Sequence, residues 1–349
     1  MNIAIDVSPL KSGNFLQHRV RGTGFYVENL KNSLLKYFPD NNYTFFSNKE
    51  KLPNNIDLVH YPYFEPFFLT LPFSYKHKTI ITIHDLTPLV FPSFFPKGLK
   101  GNIKWQIQKL RAGKADAIIT DSQSSKRDII KFTGISKDKI DVVYLAAEDV
   151  FKPETNMLLR RRMRVKYKLP QKFVLYVGDV TWNKNLPRLV AATQKNNIPL
   201  VMVGGALINK DVDLNNPWNK DLVQVRKLTN DDKNIIRLGF ISKEELVLIY
   251  NMAYVFVMPS LYEGFGLPIL EAMKCGCPVV TSKEGSIPEV AGDAGLYVNA
   301  YDINDIALGI ITMYQSEKIR KEYSLRGLTQ AKKFSWKKTA TETIKTYEK

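Results

Sequence analysis

The 349-residue sequence predicts an α/β protein built from two Rossmann-like domains. Three observations lead there. Short apolar segments rich in β-branched and aromatic residues alternate with helical patterns, which implies doubly wound parallel sheets. The alternation pauses over residues 152–172, where the composition turns basic, and then restarts. The chain is also longer than a single core usually fills. The expected division is 1–155 and 156–334, with a closing segment at 335–349.

In the first domain, strands are expected at residues 2–7, 43–47, 58–61, 79–83, 117–120 and 141–143. A polar loop is expected at 11–23 and a helix at 25–37. The basic stretch then carries Arg160, Arg161, Arg162, Arg164, Lys166 and Lys168, with Glu154 its sole acid, and reads as a linker. Strands follow at 173–177, 200–203, 235–238, 253–258, 278–281 and 295–298, and a helix at 336–347 ends the chain. In open parallel sheets, ligands bind beyond the carboxyl ends of the strands. Two such domains facing each other place the ligand in the cleft between them.

Composition narrows the function classes. Apolar residues make up 44%, enough for ordinary cores, and 50 Lys and Arg against 34 Asp and Glu give a net charge of +16. That surplus suits a polyanionic partner: nucleic acid, an anionic membrane or a phosphorylated substrate. Cys275 and Cys277 flank one glycine, which argues against disulfides and leaves a zinc site without ligands. His18, His60, His77 and His84 are too scattered for a metal cluster. The amino-terminal residues read as a strand and not as a signal peptide. No apolar run reaches membrane-spanning length. A cytoplasmic protein, soluble or peripheral to a membrane, is the expectation.

The richest motif is PSLYEGFGLPILEAMKCGCPVV, residues 259–280. A buried strand ends at Pro259, and Gly264 and Gly266 open the backbone of a loop. Pro268 suits the first turn of a helix that stops near Gly276. A helix start offers unpaired N–H groups and a positive dipole end, hence an anion site. Glu263 precedes that start, and Glu271 lies about one turn inside the helix. Neither carboxylate helps a phosphate, but each accepts hydrogen bonds from hydroxyls. Hydroxyls on both sides of a diphosphate describe a nucleotide sugar. The competing reading is two solvated glutamates on an amphipathic helix; the glycines, the strand and the proline favour the site.

Other loops share that placement. In YVGDVTWNKNLPRLV, a strand ends at Gly178 and Lys184 stands at the next helix start, where its ammonium could neutralise a diphosphate; a surface lysine is the alternative. Gly22, Thr23 and Gly24 follow the first strand and form a candidate acceptor or phosphate loop. His84 ends a strand, placed either to contact a sugar or to bond a backbone carbonyl. Ser122, at another strand end, reads more readily as a helix cap. Residues 91–114 interleave Phe91, Phe94, Phe95 and Trp105 with Lys97, Lys100, Lys104, Lys109, Arg111 and Lys114. Rings beside cations suit an anionic lipid surface; an ordinary helix with a basic face is the alternative. The arginine run lacks aromatic interleaving and any nucleic-acid motif, so nucleic acid is not the expected partner.

These residues resemble the family 4 retaining glycosyltransferases of GT-B fold. The resemblance rests on YEGFGLPILEAM followed by GCPVVTSKEGSIPEVAGDAGLYV. The Gly178–Lys184 loop, IHDLTPL at 83–89, the glycines at 22 and 24, and Phe334-Ser-Trp336 support it. It implies that Glu271 holds the donor ribose and Glu263 the transferred sugar. Backbone N–H groups of Phe265, Gly266 and Leu267, next to Gly264, would meet sugar and diphosphate. It also implies that Lys184 binds the diphosphate, that the loop at Gly239 with Phe240 and Ile241 holds the base, and that His84 faces the reacting sugar. The final helix would cross back onto the first domain. Where relatives carry an arginine after the diphosphate-loop glycine, this chain has Asp179, which leaves Arg188 as the candidate second cation. The implied activity is hexosyl transfer from a nucleotide sugar to a glycan or lipid-linked acceptor in cell-surface polysaccharide synthesis, with no essential metal or other cofactor. IDVSPL with HDLTPL leans toward GDP-mannose, with a UDP-sugar as the alternative. Two rivals stand beside it: a GT-B nucleotide-sugar epimerase, and a noncatalytic basic nucleic-acid binder.

Overall fold

The computed structural model describes residues 1–10, 22–47 and 50–349. It divides into two compact units: residues 1–146 with 334–349, and residues 147–333. Each is a six-stranded parallel sheet flanked by helices.

In the first unit the strands are β1 (Asn2–Asp6), β2 (Asn42–Phe46), β3 (Leu58–Tyr61), β4 (Lys78–Thr82), β5 (Ala117–Thr120) and β6 (Ile140–Val142). Their order is β2-β1-β3-β4-β5-β6. Ile5 lies against His60, and Ile81 against Ile118. β5 is buried along its whole length, as expected for a strand covered on both faces. The expected loop at 11–23 fares differently at its two ends. Residues 11–21 lie outside the described residues, whereas Gly22, Thr23 and Gly24 form the first turn of the Gly22–Tyr37 helix. The closing helix, Trp336–Glu348, belongs to this unit, with the Trp336 ring 5.9 Å from Phe25 and 6.4 Å from Tyr26.

The second unit holds β7 (Val174–Val177), β8 (Leu200–Val203), β9 (Ile235–Leu238), β10 (Val255–Met258), β11 (Val279–Thr281) and β12 (Gly295–Tyr297), in the order β12-β11-β10-β7-β8-β9. The direction of winding reverses between β7 and β10. That reversal opens a crevice at the strands' carboxyl ends, the usual ligand position in such sheets. The basic stretch is not an extended linker. Met157–Tyr167 is a helix, started by Asn156, whose side chain accepts from the N–H groups of Leu158 and Leu159. None of its residues is buried, so it never needed the apolar face that announces a helix in sequence. Both cysteines are buried free thiols. Among the described residues no helix is long and apolar enough to cross a membrane.

Candidate active site

The two loops that flank the β7/β10 reversal are stitched together by backbone and amide bonds. After β7 the chain runs through a short turn, Trp182–Lys184, to Asn185, whose φ of 60° is the left-handed conformation asparagine tolerates. Asn185 Nδ2 donates to the carbonyls of Pro259 (2.9 Å) and Ala300 (2.7 Å). Asn183 Nδ2 donates to the Tyr262 carbonyl at 3.0 Å, and the Leu261 N–H donates to the Asn183 carbonyl at 2.7 Å. These bonds set Lys184 against Glu263. Its Nζ lies 2.8 and 2.7 Å from the two carboxylate oxygens, with the Glu263 side chain 8% exposed. Two residues 79 positions apart in sequence thus form one charge-neutral pair.

The Glu263 loop is fixed from its other side by residues that sequence reasoning assigned no role. Ser286 Oγ donates to the carbonyls of Glu263 (3.0 Å) and Phe265 (2.8 Å). Gly285, at φ +61°, lies so close that a Cβ there would meet the Glu263 carbonyl oxygen at 2.7 Å. Only a glycine fits both the angle and the space. Gly266, at φ +105°, turns the chain into the Leu267–Lys274 helix, which has Pro268 in its first turn and no side-chain cap. The helix start therefore offers N–H groups and dipole to an anion.

Glu271 lies on this helix, partly buried, and accepts a 2.9 Å hydrogen bond from the Tyr250 hydroxyl. Burial pushes its carboxyl up to about 7, and the Tyr250 bond opposes that rise. Arg188 Nη1 donates to Asn185 Oδ1 at 2.8 Å, with its guanidinium 5.9 Å from the Tyr301 ring centre. In this structure it braces the Asn185 turn. Phe240 is exposed while Ile241 is buried.

The first unit carries a separate polar cluster at the ends of β4 and β5. His84 Nδ1 is 2.7 Å from Asp121 Oδ2. The Tyr26 ring and the imidazole pack edge to face, centroids 4.8 Å apart at 86°. Burial works against the imidazolium, but Asp121, with help from Asp85 and the Pro62 carbonyl, outweighs it and holds the His84 pKa above the usual histidine value. Asp121 has no signal of its own in sequence beyond following a buried strand. Ser122 caps the Gln123–Thr133 helix, its Oγ accepting from the Ser125 N–H at 3.0 Å. Among the described residues no group of three or more His, Cys, Asp or Glu side chains is placed to hold a metal ion.

Comparison with known proteins places the chain. The sequence profile of the Glycosyl transferases group 1 family matches residues 160–329, and that of Glycosyltransferase Family 4 matches residues 10–148. The chain is 33% identical over 302 residues to the O-antigen chain mannosyltransferase B of Escherichia coli, covering 84% of this chain and 75% of that one. The chain belongs to the group 1 glycosyltransferases. It is 30% identical to the E. coli serotype-specific mannosyltransferase WbdA, but spans only 32% of that longer protein. The sucrose-phosphate synthase of Thermosynechococcus elongatus shares the fold, with a TM-score of 0.78 at 20% identity over 100% of this chain and 98% of that one. WaaG, a lipopolysaccharide-biosynthesis glycosyltransferase, shares it too, with a TM-score of 0.69 at 13% identity over 98% of each chain. The two-domain GT-B architecture expected from the sequence is therefore the fold of this glycosyltransferase, and the reading as a noncatalytic nucleic-acid binder falls away.

Proposed function

We propose that this glycosyltransferase transfers a hexose, with retention, from a nucleotide sugar to a glycan or lipid-linked acceptor in cell-surface polysaccharide synthesis. The observation that carries the donor assignment is the neutralised Lys184–Glu263 pair beside an uncapped helix start, at the winding reversal of a Rossmann-like sheet. In this reading the Leu267–Lys274 helix start, through Gly266 and Leu267, receives the diphosphate with Lys184. Glu263 takes the hydroxyls of the transferred sugar and Glu271 those of the ribose. The backbone at Phe240 and Ile241 takes the base. Lys184 and the helix dipole stabilise the leaving diphosphate without a metal ion, and a leaving phosphate oxygen accepts the acceptor's proton. GDP-mannose is the favoured donor, supported by IDVSPL and HDLTPL and by the mannosyltransferase names of several relatives.

The test is a thermal-shift screen across nucleotide sugars followed by product analysis, since a bound donor raises apparent stability. GDP-mannose should give the largest shift, transfer should persist in EDTA, and the product anomer should match the donor's. Loss of activity on chelation, restored by magnesium, would sink the metal-free part. Epimerised sugar formed with no acceptor present would favour the epimerase instead.

The acceptor side belongs to the first unit in this reading, and attachment to the cytoplasmic face of an anionic membrane goes with it. The structure changes which residues of 91–114 could serve. Phe95 and Trp105 are buried, as is Arg111, whose Nη1 donates to the Leu71 carbonyl and whose guanidinium lies 3.9 Å from the Phe73 ring centre. The outward apolar residues are Phe94, Leu99, Ile103 and Leu110.

A further inference from the structure

His84 is a candidate site residue by its place just past the carboxyl end of β4, yet a strand end alone does not say which ring nitrogen would meet a substrate. Its surroundings do. Nδ1 faces Asp121 Oδ2 at 2.7 Å, and the Asp121 side chain is 4% exposed. Nε2 is buried and, like the second carboxylate oxygen, Asp121 Oδ1, has no hydrogen-bond partner among the described residues; the Pro62 carbonyl lies beside the ring and favours its charged form. Buried polar atoms without partners are costly, so each of the two calls for a further partner, which at Nε2 a ligand hydroxyl would supply. We propose that Asp121 is the positioning residue of this site: its carboxylate holds the proton on His84 Nδ1, so that Nε2 is the atom turned to a substrate hydroxyl.

The arrangement leaves His84 little freedom. The ring is flanked by Tyr26, itself fully buried and bonded through its hydroxyl to Thr82 Oγ1 at 3.1 Å, and exchanging its nitrogens would give up the Nδ1 bond to Asp121. The charged and titratable neighbours are Asp121, Asp85, His60 and Tyr26. Among them Asp121 provides the principal attraction for a proton on the ring. With Nδ1–H fixed, a change of pH alters only Nε2. It accepts a hydrogen bond when the ring is neutral and donates one when the ring is charged. This inference rests on the glycosyltransferase reading for its catalytic consequence, but not for the tautomer.

Two measurements separate those parts. Ring nitrogen NMR of the full-length protein labelled at histidine, without substrate, should show His84 as the Nδ1–H tautomer when neutral. Asp121→Asn should lower its titration midpoint by about one pH unit or more, since a charge and a charged hydrogen bond are lost. Hexosyl transfer with the best donor should then show a pH limb that moves with that midpoint. We expect kcat to fall about tenfold while donor affinity holds. An Nε2–H tautomer in the unmodified protein overturns the proposal whether or not the variant folds. A shifted midpoint with an unmoved pH limb overturns the positioning role. If no nucleotide sugar supports transfer, the functional reading fails while the NMR result still decides the tautomer.

Discussion

Holding Glu263 through both oxygens gives Lys184 a structural task beside the catalytic one proposed for it, and the two can be separated. Lys184→Ala leaves a nearly buried carboxylate without its cation, which should cost about 3 kcal/mol and several degrees of Tm. Turnover should fall on the order of a hundredfold or more if Lys184 also stabilises the leaving diphosphate. Adding Glu263→Gln should return most of the Tm and none of the turnover; recovery of turnover would leave Lys184 a structural role only. Glu271 makes a second residue-scale prediction. Its folded pKa of about 7 lies above the ordinary 4.5, so its contribution to stability falls as pH rises through that window. Donor affinity should move the opposite way, because the ionised carboxylate accepts ribose hydroxyls better. Calorimetry with a nucleotide sugar should show tighter binding from about pH 6 to 8. Tyr250→Phe removes the bond that lowers the Glu271 pKa, so the midpoint should rise and affinity near neutrality drop about tenfold. A flat pH response in both proteins would sink the ribose assignment. The placement of Lys184, Glu263 and Glu271 was legible because each is a charge beside a strand–loop–helix boundary. Asn183, Asn185, Tyr250, Asp121 and Ser286 were not. Their partners are remote in sequence, and a bond to a distant carbonyl or side chain leaves no local pattern.

At the scale of elements, the closing helix is tied into the first sheet by buried polar groups as well as by its apolar face. His60 on β3 bridges Tyr347 (Nδ1 to hydroxyl, 2.7 Å) and Thr82 (Nε2 to Oγ1, 2.8 Å). Burial pushes the His60 pKa down to about 3, far below the ordinary 6.5. The folded state therefore refuses a proton that the unfolded chain accepts. Stability should fall as pH drops below about 6.5, with a slope approaching 1.4 kcal/mol per pH unit from this group alone. His60→Gln should flatten that acid limb in denaturant titrations at several pH values; an unchanged slope would mean His60 is not the group responsible. The strands were nearly all readable, and Leu58–Tyr61, Ala117–Thr120, Leu200–Val203 and Ile235–Leu238 fall where expected. Buried parallel strands are apolar runs cut by turn residues, which is a strong local signal. Helices were harder where the local rule pointed elsewhere. Gly22 and Gly24 read as loop because glycines between a strand and a helix let a bound group approach the backbone, yet they open the first helix. Met157–Tyr167 hid in its own charge.

For the molecule as a whole, the charge of +16 needs a location before it has a meaning. Residues 86–115 contain no acid, and the Gly98–Gly113 helix within them turns apolar side chains outward: Leu99 is 79% exposed, Ile103 55% and Leu110 69%. Spacings of four and seven place the three on one stripe. Lys97, Lys100, Lys104, Lys109 and Lys114 accompany it, while Trp105, Gln108 and Arg111 on the opposite side are buried. A helix whose second apolar face is exposed and surrounded by lysines suits the boundary between lipid headgroups and acyl chains. Each lysine near an anionic surface contributes about 1 kcal/mol, and the stripe adds apolar burial. Sedimentation with vesicles separates the two contributions. The protein should pellet with anionic vesicles, stay in solution with neutral ones, and be released by high salt as surface charge is screened. Replacing Lys97, Lys100 and Lys104 with Glu should abolish pelleting. Replacing Leu99, Ile103 and Leu110 with Ser should leave weak binding that salt removes more readily, because the charge remains without the insertion. Both sets lie in the first unit and outside the proposed donor site, so nucleotide-sugar binding should persist in both. If the unmodified protein stays in the supernatant with anionic vesicles at low salt, the outward stripe serves a protein contact, and a water-soluble acceptor becomes the better reading of the first unit.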